Sequence, residues 1–384
     1  MSKNGFKVMD SDMHLHEPWD LWLKHLAPEY RDRAPVGMSK NPMDMNTAIQ
    51  GKPLSFLANA DIDYHEEEEA HEVLDKERGE RYLREGIERG FDPVSQLHAM
   101  DIEGVDVSLL LPTRGMLVAG KDYDDAGYAT ALSRAYNDWL SDFCKEDPKR
   151  MKGAAMILVT DIQEAVREVR RASKELGFLS IYLHPNPIKG RNWHNPDYYP
   201  IWEECQSLGM AVTFHETFKC SLPQAMTDRF LDEPDKIWTM GHVACHVVEQ
   251  LYACLCMCTG GVLERFPDLQ VAFLECNSSW LPFWLWRMDG HYELRQRWAS
   301  KYISMKPSEY FKRQCYVGID ADEEPAKYAM DWIGDDNFVF STDYPHSDSK
   351  YPHATDTFLA LPLTEESKRK VLWDNCARLY NLSG

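Results

Sequence analysis

Positive charge is scarce in this chain: 42 Lys and Arg stand against 62 Asp and Glu, a formal net charge of −20. A surface of that sign repels nucleic-acid phosphates and anionic lipid at long range, so neither a nucleic-acid nor a membrane partner is expected. Long apolar runs are missing as well. The richest stretch, 271–286, is interrupted by Glu275, Asn277, Ser278, Ser279 and Pro282 and is too broken to span a bilayer. The opening MSKNGFKVMDSD lacks a basic n-region, an apolar core and a small-residue cleavage site, which makes a cytoplasmic location the expectation. Cysteine is thin, ten in 384 residues, and no two are spaced as the CxxC pairs of a zinc ribbon. The one cluster, Cys254, Cys256 and Cys258 in LYACLCMCTGG, reads as small buried residues on a helix ahead of a thiolate metal site.

What is present is a large apolar inventory, 44% of the residues, enough for one big core. Strand-like runs recur at 7–11, 105–111, 152–159, 179–183, 211–214, 271–274, 315–317 and 338–341. Helical patterns lie between them, including 128–143, 161–176, 199–208 and 247–265. Eight strands alternating with helices predict a single (β/α)8 barrel over 1–384. A long insertion between strands one and two, about 31–100, is expected to act as a lid or subunit contact. Within it the mixed-charge run YHEEEEAHEVLDKERGERYLREGIERG reads as a solvated helix face.

Barrels of this kind place their chemistry at the C-terminal strand ends, and polar residues collect there. Asp12 and His14 leave strand one, Arg114 follows strand two, His184 ends strand four, His215 strand five, Glu275 strand six and Asp343 strand eight. Two imidazoles with two carboxylates are what one divalent metal needs, so Asp12, His14, His215 and Asp343 are the candidate ligands. His14-Leu15-His16 is also an HxH, and His16 stands as the alternative partner of His14.

The segments DSDMHLHEPWDLW, HPNP at Pro185, the FHE of His215, GGVLERFPDLQVAFLE and FSTDYPH together resemble the amidohydrolase superfamily, in its amidohydrolase-2 branch with the aminocarboxymuconate semialdehyde decarboxylase-like enzymes. The resemblance implies one metal, zinc ahead of manganese, with Asp12 in place of the usual first ligand. It implies that Asp343 touches the metal and exchanges a proton, and it puts Glu275 where the decarboxylases carry a His acid or base. Desolvation beside Trp280, Phe283, Trp284 and Trp286 is expected to raise Glu275. His246 is a further acid or base candidate, while His184, His346, Trp280 and Arg114 are candidate substrate contacts.

Two activities are expected on these residues. The first is hydrolysis of a carbonyl (amide, ester, thioester or lactone) in a small organic substrate, with a metal-activated water and Asp343 as proton acceptor. The alternative is non-oxidative decarboxylation of an aromatic or unsaturated carboxylic acid, with Arg114 as the cation for the carboxylate. A ring-bearing substrate suits the 12 Trp and 18 Tyr, and a homodimer through the Trp280 segment is expected.

Overall fold

Short apolar strands buried on both faces can satisfy their main chains only beside one another, and helices on the outside cover what remains. The computed structural model describes residues 3–54, 79–217, 222, 229–230, 234–346 and 349–382. Eight parallel strands, β1 (Met9–His14), β2 (Val107–Leu111), β3 (Met151–Met156), β4 (Ser180–Leu183), β5 (Ala211–His215), β6 (Val271–Leu274), β7 (Cys315–Ile319) and β8 (Phe338–Phe340), follow one another round a nearly closed barrel. The expected (β/α)8 fold is present.

Closure is made at one end. Asp343 N donates to Asp12 O at 3.0 Å, and His14 N donates to Tyr344 O at 2.7 Å. At about 1 kcal/mol net per bond their energetic contribution is small. Their positional effect is large, because they set the loop after β8 against the last residues of β1. They also explain why β1 runs on to His14 rather than stopping at residue 11: Asp12 and His14 lie within the strand. A register shift between Asp10 and Met13 inserts an extra residue there.

The helices form for local reasons. Asp161 caps Ile162–Lys174 by accepting from Gln163 N at 2.8 Å and Glu164 N at 3.1 Å, and Ala165, Val169 and Ala172 give it a buried stripe. The helix expected at 247–265 is instead two, Pro234–Thr259 and Val262–Arg265. Gly260 and Gly261 part them. A Cβ on Gly260 would lie 2.3 Å from Cys256 O, and Gly261 has φ +87°. The first of these helices carries Cys254, Cys256 and Cys258 buried, and among the described residues none joins a metal-binding group.

Between β1 and β2 lie the helix Leu21–His25, an antiparallel sheet of Pro35–Gly37, Thr47–Ile49 and Lys52–Pro53, and the helices Arg84–Arg89 and Pro93–Glu103. Residues 64–78 of the charged run are outside the described residues. No described helix is long and apolar enough to cross a membrane.

Candidate metal centre

The main chain decides which ring nitrogens face inward. His14 Nδ1 donates to Pro112 O at 2.7 Å and His215 Nδ1 donates to Glu216 O at 2.8 Å. Each neutral imidazole therefore has its proton on Nδ1 and its lone pair on Nε2. The two Nε2 atoms sit 3.1 Å apart with no proton between them. Asp12 Oδ1 is 3.2 Å from one and 3.3 Å from the other, and neither Asp12 oxygen has a hydrogen-bond donor although the residue is fully buried. An unsatisfied buried acceptor costs about 1–3 kcal/mol, and three lone-pair atoms converge here. A cation is what this arrangement fits.

Protonation states agree with that. Burial lowers His14 below its ordinary value, which favours the neutral ring. Burial works to raise Asp12, and only positive charge facing it, from His215 and His14 when they carry protons, holds the carboxyl below the usual range; a bound cation would supply that charge with the rings neutral. A carboxylate with two neutral imidazoles is the protonation state in which metal ligands bind.

Asp343 reaches the same place across the closing seam. Its Oδ1 lies 3.6 Å from His14 Nε2 and accepts from His346 Nδ1 at 2.8 Å. His346 in turn accepts on Nε2 from Thr113 Oγ1 at 3.0 Å, and its ring lies over His14 at 4.1 Å. Asp12, His14 and His215 form one group able to hold a metal, and His14, Asp343 and His346 form a second that shares His14. His16 belongs to neither. Its Nδ1 is bonded to Pro42 O at 2.7 Å, and its ring packs on Phe91.

On the opposite side Glu275 Oε2 lies 3.2 Å from His215 Nε2 and 3.3 Å from His246 Nδ1. His246, from the helix Pro234–Thr259, is pushed well below its ordinary value by burial and by His242, whose ring is 4.6 Å away. Glu275 and Asp343 share the wall of a cavity of about 410 Å³ with Asp320, Asp322, Ser349 and Lys350.

Three expected substrate contacts are placed elsewhere. Arg114 was expected to meet a carboxylate, but it is 2% exposed and donates to the main-chain carbonyls of Glu17 (3.0 Å), Asn46 (3.0 Å) and Asn41 (3.3 Å). Its backbone opens the helix Arg114–Ala119, so the side chain turns back onto the segment after β1. Trp280 spends its indole N–H on Cys276 O and Asn277 O, at 3.0 and 2.9 Å. His184 bonds Met116 O at 3.0 Å and lines a different cavity, of about 330 Å³, with Leu158 and Trp193. Thr113 and Asp10, whose carboxylate accepts from Asp12 N at 3.0 Å and Thr342 N at 3.2 Å, escaped sequence reasoning. Asp10 opens the DSDMHLHEPWDLW segment without standing out in it, and Thr113 matters through His346, a residue distant in the chain.

The chain belongs to the amidohydrolase family, whose model matches residues 11–382. It is 27% identical over 271 residues to 2-amino-3-carboxymuconate-6-semialdehyde decarboxylase of Dictyostelium discoideum, covering 69% of this chain and 70% of that protein. It is 25% identical over 296 residues to gamma-resorcylate decarboxylase of a Polaromonas strain, covering 75% and 87%. A solved dihydroxybenzoic acid decarboxylase from Polaromonas, with bound manganese and an inhibitor, superposes with a TM-score of 0.65 at 21% identity, covering 99% and 98% of the two chains. These relatives overturn the hydrolase expectation: they are named as decarboxylases, and the alternative activity is the one they favour. The site is one for a divalent metal.

Proposed function

We propose that this member of the amidohydrolase family is a metal-dependent non-oxidative decarboxylase of a small aromatic or unsaturated carboxylic acid, working with manganese. The names of the relatives support the reaction class, and the manganese of the solved relative supports the metal over zinc. The observation that carries the reading is the placement of Glu275 beside His246 at the cavity edge, next to the converging ligands.

Asp12, His14, His215 and Asp343 would hold the cation. When bound, it supplies the positive charge against which a substrate carboxylate and a neighbouring oxygen are held. His346, tied to Thr113, keeps Asp343 turned inward. The Glu275 and His246 pair delivers a proton to the carbon that bears the carboxylate. The carbon–carbon bond then breaks, its electron pair returns to the substrate and carbon dioxide leaves, so one proton in balances one carbon dioxide out. Arg114 takes no part.

The test is incubation of the manganese-loaded protein in D2O with hydroxybenzoates and unsaturated diacids. Equimolar carbon dioxide and one deuteron at the vacated carbon are expected. Absence of carbon dioxide from every acid, at full metal occupancy, would overturn the proposal. A homodimer belongs to the same reading, since Phe283 and Trp286 stand 59% and 65% exposed on the helix Leu281–Leu294. Light scattering should then give twice the chain mass of 44.5 kDa, and a single chain mass would remove it.

A further inference from the structure

Glu275 occupies an uncommon backbone conformation, φ +49°, directly after β6, and Asn277 two residues on has φ +53°. Two left-handed residues without glycine persist only where the surroundings over-determine them. The surroundings come from the loop after β7. Asp320 Oδ2 accepts from Asn277 Nδ2 at 2.6 Å. The Glu323 carboxylate accepts Ser278 N on both oxygens (2.8 and 3.0 Å), Ser278 Oγ (3.1 Å), Ser279 N (2.8 Å) and Ser279 Oγ. Gly318 of β7 lies against the start of this turn, where a Cβ would stand 3.3 Å from Leu274 Cδ2 and 3.8 Å from Glu275 N.

We propose that Glu323 is the positioning residue for Glu275: its buried carboxylate gathers Ser278 and Ser279 and so locks the turn that aims Glu275 at His215 and His246. Bonds to an ionised acceptor are about twice as strong as neutral ones, so Glu323 is the firmest anchor of this turn. It is 7% exposed, and all five of these bonds come from the two serines. The same contacts also fix the residues that lead into the helix starting at Leu281, whose N bonds Ser278 O at 3.0 Å. The functional part of the inference rests on Glu275 handling the proton in the proposed decarboxylation.

The experiment separates positioning of Glu275 from general support of the helix entry. In a crystal structure of manganese-loaded Glu323→Gln, Glu275 Oε2 should leave hydrogen-bonding distance of His215 and His246 while Asp12, His14 and His215 stay in place. With the acid that the wild type turns over, kcat should fall about 10- to 100-fold with KM within about twofold and metal content unchanged. Glu323→Asp, which keeps the charge, should recover part of the loss. Added to Glu275→Gln, the Glu323→Gln change should cost less than about twofold, since it acts through a group already removed. An unmoved Glu275, or losses that multiply, would overturn the positioning role. Should Glu323→Gln not fold, Ser278→Ala with Ser279→Ala removes only the hydroxyl donors to Glu323 and completes the same cycle and the same crystal measurement. If no acid is turned over by the wild type, the decarboxylase reading fails, and the crystal measurement alone still decides whether Glu323 sets Glu275.

Discussion

The two sides of the metal centre are built by different means. On the β1–β8 side, Asp12 and His14 are carried by strand backbone, and Asp343, in the loop after β8 with φ +55°, is fixed by main-chain bonds across the barrel seam. On the β6–β7 side, Glu275 sits in a left-handed turn whose shape is held by side-chain carboxylates of the next loop. Ligands need fixed distances, and strand backbone together with the main-chain seam supplies them. A proton-handling carboxylate needs orientation relative to a substrate, which a bolted turn can set independently of the metal.

The largest expected effect would break that division of labour. Asp12→Ala should strip the metal and abolish turnover, whereas Glu275→Gln should retain the metal and keep a low but measurable turnover; metal analysis with carbon dioxide release checks both. If Glu275→Gln also lost the metal, the two sides would not be distinct. A smaller effect sharpens the β1–β8 side. Thr113→Val removes the donor that holds His346 and should cost about 10- to 100-fold in metal affinity or activity, read by competitive chelation and by kinetics.

The smallest effect belongs to neither side. Burial holds His184 down to about 4 from its ordinary 6.5. As pH falls the unfolded chain takes the proton first, so the stability from this residue is whole above 6.5 and drains away between 6.5 and 4, by about 3 kcal/mol in all. In urea unfolding, His184→Gln should flatten stability against pH over that window; an unchanged slope would place the imidazole in water. His16, also held at about 4 by burial, keeps part of the slope.

Much of the site was legible because strand ends and motifs coincide. Period and punctuation located all eight strands, and His215 and Asp343 followed from their strands. His14 was legible, but the choice between Asp12 and His16 as its neighbour was not, since both lie two residues away and only the bond to Pro42 shows His16 turned aside. Arg114 misled for the same kind of reason: a cation at a strand end looks available until its carbonyl partners, about 70 to 100 residues away in sequence, come into view.

By itself the amino-acid sequence determined the barrel, its strand order and the residue types at its rim, because these depend on periodicity and on neighbours a few residues apart. Which lone pairs converge, which histidine stands aside, and how Glu275 is held were decided only in three dimensions. Those depend on the seam between residues 12–14 and 343–344 and on the bolts between residues 277–279 and 320–323. Chain closure brings such partners together, and no local pattern encodes the distance between them.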